Sequence, residues 1–66
     1  MMSDELYPCP CCGVKEIYEP GSYEICEHCG WEDDPVQLKY PDTSRGANRM
    51  TLNEARQAYK KGEKIT

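Results

Sequence analysis

The sequence predicts a small α+β domain that is held together by a metal ion, and three observations support this fold class. First, four of the five cysteines lie in two copies of the pattern C-x-x-C-G, at residues 9–13 and 26–30. Second, the intervening residues contain two β-prone runs around Pro20-Gly21, as in a hairpin. Third, two helix-start patterns follow in the second half of the chain. We therefore expect a hairpin with one cysteine pair at each end, then a short helical turn and a C-terminal α-helix.

The composition indicates that a hydrophobic core alone cannot stabilise this chain. Its 66 residues include one Trp and no Phe, and 30% of them are charged. Chains below roughly 70–80 residues usually add disulfides, a metal ion or a partner to their core. The odd number of cysteines disfavours disulfides, and the acidic N-terminus does not resemble a secretory signal. No apolar run reaches the length of a membrane span. We therefore expect reduced cysteines in a cytoplasmic protein that is stabilised by Zn²⁺.

Paired C-x-x-C units at this separation are a strong zinc-site signal, because each tight turn aims two sulfur atoms at one point. Four thiolates form a closed tetrahedral set that suits zinc or iron, and we expect one Zn²⁺ per chain, with iron less favoured. This arrangement is that of zinc ribbons and of rubredoxins. The expected ligands are Cys9, Cys12, Cys26 and Cys29.

The fifth cysteine, Cys11, leaves several interpretations open. Cys11 and His28 occupy the third position of the two C-x-x-C turns, where a side chain is expected to point away from the metal. Cys11 is then a spare surface thiol, and His28 a solvated or packed imidazole. Alternatively, Cys11 replaces Cys12 as a ligand. As a further alternative, Cys11 forms a disulfide with Cys9 or Cys12 that ejects the metal and acts as a redox switch.

The first half of the chain divides into a lead-in and a metal-binding hairpin. Residues 1–7 are expected to form a flexible acidic lead-in, and residues 8–31 to form the zinc hairpin. Its strands are expected at 14–19 and 22–26, where apolar and polar residues alternate. The Pro-Gly dipeptide between them suits a type II turn.

The second half begins with a short helical turn, within a single domain that spans residues 1–66. Asp34 is an N-cap candidate, with Pro35 at the first helical position. Gln37 occupies the N3 position of a capping-box pattern, and Pro41 ends the turn.

A longer helix is predicted at the C-terminus. Residues 41–50 are expected to form a loop, because Asp, Ser, Gly and Asn are frequent there. Thr51 and Glu54 then form a capping box, and Gly62 stands where a C-terminal cap belongs. The C-terminal helix is therefore predicted at 51–61.

Charge is divided unevenly between the two halves of the chain. Residues 1–34 carry a net charge of −8 and residues 35–66 a net charge of +4, within a total of −4. The acidic balance disfavours nucleic-acid binding, which depends on phosphate neutralisation. The basic side chains are expected on a solvated helix face or against the acidic half. The run Glu32-Asp33-Asp34 lacks the alternating spacing of a calcium loop, so capping and solvation are its expected roles.

Several phrases of the sequence together resemble a known family. The first cysteine motif is followed by G-S-Y-E-I-C at 21–26, W-E-D-D-P-V-Q at 31–37 and G-A-N-x-x-[ST]-L-N-E-A-R at 46–56. In this order they resemble the small bacterial cysteine-rich CPCC family over nearly the whole chain. The resemblance implies zinc bound by the four expected cysteines and a bacterial cytoplasmic setting, and it implies no activity.

We expect a zinc-stabilised binding module rather than an enzyme. A closed shell of four cysteines leaves no position for substrate or water, and the single His lies inside a cysteine turn. The expected partner is a protein, and the expected state is a monomer. The main alternative is an iron-loaded electron carrier similar to rubredoxin. The candidate aromatic contacts are Tyr7, Tyr18, Trp31 and Tyr40, for which packing over the hairpin is the alternative role.

Overall fold

The regular structure consists of two short strands and two helices, in a computed structural model that describes residues 5–65. The strands form one antiparallel sheet, so the predicted α+β class with a C-terminal helix is confirmed. None of the helices in this part of the chain is long and apolar enough to cross a lipid bilayer. The elements are β1 (Tyr7–Pro8), β2 (Lys15–Ile17), α1 (Pro35–Lys39) and α2 (Leu52–Lys61).

The first hairpin is built around the first cysteine turn. β1 pairs with β2 in antiparallel register, with Tyr7 opposite Ile17 and a bulge before the next pair. The Cys9 amide N–H donates to the Val14 carbonyl at 2.9 Å and so closes the turn. Tyr7 therefore belongs to the sheet and not to the predicted lead-in, of which residues 1–4 lie outside the described part of the chain.

The second predicted strand does not pair with the first. The expected strand 22–26 instead folds back on the residues that follow the second cysteine turn, and these two segments form a second hairpin. Ile25 forms an isolated antiparallel bridge with Glu32. The Cys26 amide N–H donates to the Trp31 carbonyl at 2.9 Å. The prediction of strand pairing across the Pro-Gly dipeptide is therefore wrong, because each C-x-x-C turn reverses the chain itself and the residues that flank it pair with one another.

α1 begins and ends where the sequence predicts, but one of its residues has a different role. The Asp34 carboxylate accepts the Val36 amide N–H at 2.8 Å, and Pro35 is the first helical residue. The helix ends before Pro41, as expected. The capping-box role predicted for Gln37 is wrong, because its side chain is fully buried and bonded to the loop that follows α1.

The predicted loop at 41–50 is organised by buried side-chain amides. The Gln37 side-chain nitrogen donates to three loop carbonyls at 3.1–3.2 Å. The Gln37 side-chain oxygen accepts the backbone N–H of Asn48 at 3.1 Å. The Asn48 side chain accepts the Glu32 N–H at 2.9 Å and donates to the Glu32 carbonyl at 2.8 Å. It thereby satisfies backbone groups as a neighbouring strand would. The W-E-D-D-P-V-Q and G-A-N phrases, which are separate in the sequence, meet in this network.

α2 has both of its predicted ends. The Thr51 hydroxyl accepts the Glu54 N–H at 3.0 Å, and the Glu54 carboxylate accepts the Thr51 N–H at 2.9 Å, which confirms the capping box. Gly62 has a φ of 74° and donates to the carbonyls of the last turn. The buried face of the helix consists of Leu52, Ala55 and Ala58.

The core is small, and three of its nine residues are cysteines. Trp31 is fully buried, so of its two expected roles packing is confirmed and exposed contact is wrong. Its indole Nε1 has no hydrogen-bond partner among the described residues, so the ring contributes through packing. The cysteines are thus part of the hydrophobic core as well as candidate ligands. The other core residues are Cys9, Cys11, Ile17, Cys26, Leu52, Ala55, Ala58 and Ile65.

Candidate metal centre

The two cysteine turns bring four sulfur atoms together. The sulfur atoms of the four predicted ligands all lie within 4.8 Å of one another. Two contacts join the turns, at 3.6 Å between Cys9 Sγ and Cys29 Sγ and at 3.8 Å between Cys12 Sγ and Cys26 Sγ. All five cysteines are free thiols, so neither contact is a disulfide. This group could hold a metal ion.

The spacing of the sulfur atoms fits a tetrahedral ion. Zn–S bonds of about 2.3 Å directed to the corners of a tetrahedron place neighbouring sulfur atoms about 3.8 Å apart. The two distances between the turns, 3.6 and 3.8 Å, match that edge. Thiolate ligands suit zinc and iron, whereas magnesium and calcium prefer oxygen. The donor set therefore favours a metal that binds sulfur and suits both zinc and iron.

Both turns direct backbone N–H groups at ligand sulfur atoms. The Cys11 N–H donates to Cys9 Sγ at 3.4 Å, and the Trp31 N–H donates to Cys29 Sγ at 3.4 Å. The glycine that ends each turn has a positive φ, 81° in the first turn and 92° in the second. Glycine adopts this left-handed conformation without steric cost. N–H groups in this position stabilise the thiolate that a metal requires.

Burial and hydrogen bonding act in opposite directions on the thiol pKa values. Burial raises the pKa of Cys9 to about 11 and also raises the pKa of Cys29. Burial opposes ionisation of Cys26 too, but backbone N–H groups of Cys29 and His28 outweigh it and lower the Cys26 pKa. Part of the set is therefore protonated at neutral pH when no metal is bound, and a metal ion must displace those protons.

Cys11 is a buried thiol and not the surface thiol expected from its position in the turn. Only 8% of the residue is exposed, and it belongs to the core. Burial raises the pKa of Cys11. The first turn lies against α2, where Arg56 Nε donates to the Pro10 carbonyl at 2.9 Å. A side chain that points away from the ligands therefore enters the interior instead of solvent.

α2 contacts both cysteine turns. Besides the Arg56 bond to the first turn, the Tyr59 hydroxyl lies 2.9 Å from His28 Nε2 in the second turn. The Tyr59 and His28 rings lie 5.8 Å apart in a tilted orientation. Residues three apart share one face of a helix, so this face of α2 bridges the turns. His28 is thus an exposed imidazole that contacts Tyr59 outside the sulfur cluster, and Arg56 lies against the first cysteine turn.

The two aspartates of the acidic run before α1 are buried rather than solvated. Asp33 is 2% exposed and Asp34 is 3% exposed. The Asp33 carboxylate accepts the Gly21 N–H at 2.6 Å. The Asp34 carboxylate accepts the N–H groups of Val36 and Ala47, both at 2.8 Å. The predicted capping role is confirmed for Asp34, but the predicted solvation is wrong for both aspartates, which fasten loops to α1.

Asn48 supports the second cysteine turn, and sequence reasoning assigned it no role. Its side chain hydrogen-bonds with the backbone N–H and carbonyl of Glu32, the residue that pairs with Ile25 across that turn. A polar residue in a loop-like segment carries no local sign that it is buried. The sequence signal that could have indicated a role for Asn48 is its position in the G-A-N phrase at 46–48.

Comparison with known proteins identifies the family. The family model described as Cysteine-rich CPCC matches residues 7–62, which include both cysteine turns and both helices. No curated protein matches the chain. Because the matched region covers most of the sequence, the chain belongs to the cysteine-rich CPCC family.

Proposed function

We propose that this member of the cysteine-rich CPCC family is a small zinc-binding domain of the zinc-ribbon type, in which one Zn²⁺ stabilises the fold and function lies in contacts with another protein. The observation that carries the proposal is the group of four thiols within 4.8 Å of one another, with two sulfur–sulfur distances of 3.6 and 3.8 Å that match a tetrahedral edge. The residues that would hold the ion are Cys9, Cys12, Cys26 and Cys29.

The scarcity of regular structure around the cysteines supports a structural role for the metal. β1 contains two residues and β2 contains three. Hairpins this short are marginal in water without further packing. A bound Zn²⁺ supplies a cross-link between the two turns, and four thiolate ligands leave no open position for substrate. We therefore expect no enzymatic activity at this centre.

An iron-loaded electron carrier similar to rubredoxin is the second candidate, because the same thiols suit iron. A redox switch through Cys11 is less well supported. Redox-sensing cysteines are exposed and have low pKa values. Cys11 is buried, and its pKa is raised.

Native mass spectrometry of the purified protein and of two cysteine variants tests the proposal. We expect one Zn²⁺ per monomer in the wild type. Cys12→Ser removes a ligand, so zinc affinity should fall more than about 100-fold, beyond the effect of changes outside the ligand shell. Cys11→Ser is the matched control and should retain the ion, because Cys11 lies outside the group of four.

Three other outcomes would contradict the zinc proposal in different ways. A red protein that contains iron would support the electron carrier. Equal loss of zinc from both variants would place Cys11 among the ligands. A folded, colourless wild type without zinc would remove the structural role of the metal.

A further inference from the structure

Three large side chains project into solvent from the segment between the two hairpins. We call residues 18–25 the aromatic loop. Tyr18 is 75% exposed, Tyr23 is 49% exposed and Ile25 is 63% exposed. Exposed tyrosines are enriched in protein interfaces, where aromatic residues contribute much of the affinity. The other exposed aromatic residues in the described part of the chain are Tyr7, Tyr40 and Tyr59.

The aromatic loop is ordered by its own hydrogen bonds. The Glu24 carboxylate accepts the N–H groups of Tyr18 at 3.0 Å and Glu19 at 2.6 Å, and the Ser22 hydroxyl at 3.0 Å. The Gly21 N–H donates to a buried aspartate before α1. A loop that is already ordered loses little conformational entropy when it binds, so its side chains are pre-organised for a partner.

Tyr23 adopts a strained backbone conformation. It alone among the non-glycine residues at 5–65 has a positive φ, 64°. A bulky residue is unfavourable in this region, which Gly and Asn adopt more readily. About half of Tyr23 is exposed, so its ring is accessible in this conformation, while its backbone N–H donates to the Asp33 carbonyl at 3.0 Å. Strain of this kind is typical of functional sites.

The charge around the aromatic loop indicates which partner it would bind. Residues 16–38 contain no Lys or Arg. Hydrogen bonds from the backbone of Tyr18 and Glu19 lower the pKa of Glu24, so this carboxylate stays charged. An acidic surface attracts cations and repels nucleic-acid phosphates, and tyrosine rings bind guanidinium groups. The glutamates in and beside the loop are Glu16, Glu19, Glu24, Glu27 and Glu32.

We propose that the aromatic loop binds a segment rich in Arg and Lys on another protein. The rings of Tyr18 and Tyr23 would contact its guanidinium groups and methylene stems, and the surrounding glutamates would complement its charge. This inference rests on the proposed function, because the metal fixes the two hairpins between which the loop lies. The basic second half of another copy is the competing partner, and self-association in the test below would identify it.

Titration of the zinc-loaded, ¹⁵N-labelled protein with a short peptide that alternates Arg and Gly tests the proposal. We expect amide shifts concentrated in residues 18–25. A peptide that alternates Glu and Gly should cause none. Tyr18→Ser and Tyr23→Asn should each weaken binding about tenfold, the effect of removing an aromatic anchor. Tyr40→Ser is the matched control, because Tyr40 is 57% exposed but lies outside the loop, and it should bind as the wild type does.

Tyr23→Asn separates recognition from folding. Because Asn tolerates a positive φ, the variant should keep or raise the thermal midpoint while it binds the Arg peptide more weakly. Wild-type binding by both tyrosine variants, shifts located elsewhere, or association of the protein with itself through the loop would each overturn the proposal. Zinc content, measured on the same samples, tests the proposed function separately.

Discussion

At the scale of single residues, Gly46 is the point where the long loop comes too close to α1 for any side chain. A Cβ atom there would lie 2.8 Å from Gln37 Cγ and would overlap the Asp34 carboxylate. Gln37 is fully buried, and Asp34 is 3% exposed. Both are held by hydrogen bonds to the loop, so neither can move without breaking a buried bond. Glycine is required here by close approach.

Gly46→Ala is therefore expected to lower the free energy of unfolding by about 2–4 kcal/mol, from overpacking plus the loss of one buried hydrogen bond. Thermal or urea unfolding of the zinc-loaded protein measures this change. Ser44→Ala is the control, because Ser44 is an exposed residue of the same loop, and its effect should stay within about 0.5 kcal/mol. If both variants are equally stable, Asp34 and Gln37 relax freely and the network is not rigid.

At the scale of elements, α2 connects the two cysteine turns in addition to covering the core. Arg56 Nε donates to the Pro10 carbonyl, and the Tyr59 hydroxyl hydrogen-bonds with His28 Nε2. Four thiolates around a divalent ion leave a local charge of about −2, which a nearby cation stabilises. Burial raises the pKa of Cys11 on balance, and the positive charge of Arg56 opposes this rise, so Arg56 acts as a cation at the first cysteine turn.

Arg56→Gln is expected to weaken zinc binding about tenfold, the lower end of what changes just outside a ligand shell cause. Competition with a chromophoric chelator measures the affinity. Lys60→Gln removes the same charge from the same helix at an exposed residue with no hydrogen bond to either turn among those described, and it should have little effect. Equal weakening in both variants would indicate a general charge effect and contradict a specific role for Arg56.

The helices could be predicted because their signals are local. The Asp34 cap, the Thr51–Glu54 capping box and Gly62 each act within one turn of chain. Strand pairing could not be predicted, because a β-prone run does not indicate which segment it pairs with. The chain could reverse at either cysteine turn or at the Pro-Gly dipeptide, and the observed pairs lie across the cysteine turns. The buried roles of Gln37 and Asn48 depend on contacts across the fold, which no local pattern encodes.

The candidate ligands were the most predictable part of the site, since C-x-x-C spacing alone determines which sulfur atoms converge. The environment of Cys11 was not predictable. Whether a side chain that points away from the metal meets solvent or core depends on where α2 packs.

At the scale of the whole molecule, sulfur contacts and α2 join the two hairpins. No strand ladder in the described part of the chain does so, because β1 and β2 form one sheet and the Ile25–Glu32 bridge stands apart. The cysteines also form a third of the core. Metal binding and folding are therefore expected to be coupled, as in other small domains whose ligands come together only in the folded chain.

This coupling makes zinc affinity depend on pH in a defined direction. In the metal-free protein, burial raises the pKa of Cys9 to about 11 and raises the pKa of Cys29, so both are protonated at pH 7. Zinc must displace at least these two protons, so affinity rises with pH and falls on acidification. Each proton contributes about tenfold per pH unit, which gives at least about 100-fold between pH 6 and pH 7.

Chelator competition at pH 6, 7 and 8, corrected for the titration of the chelator, measures this slope. The rise should continue until the pH approaches the Cys9 pKa, where no proton remains on that thiol to be displaced. Cys11→Ser should show the same slope, because its sulfur is not one of the four at tetrahedral spacing. An affinity that does not change with pH would mean that the metal binds without displacing thiol protons, and it would contradict the raised pKa values of Cys9 and Cys29.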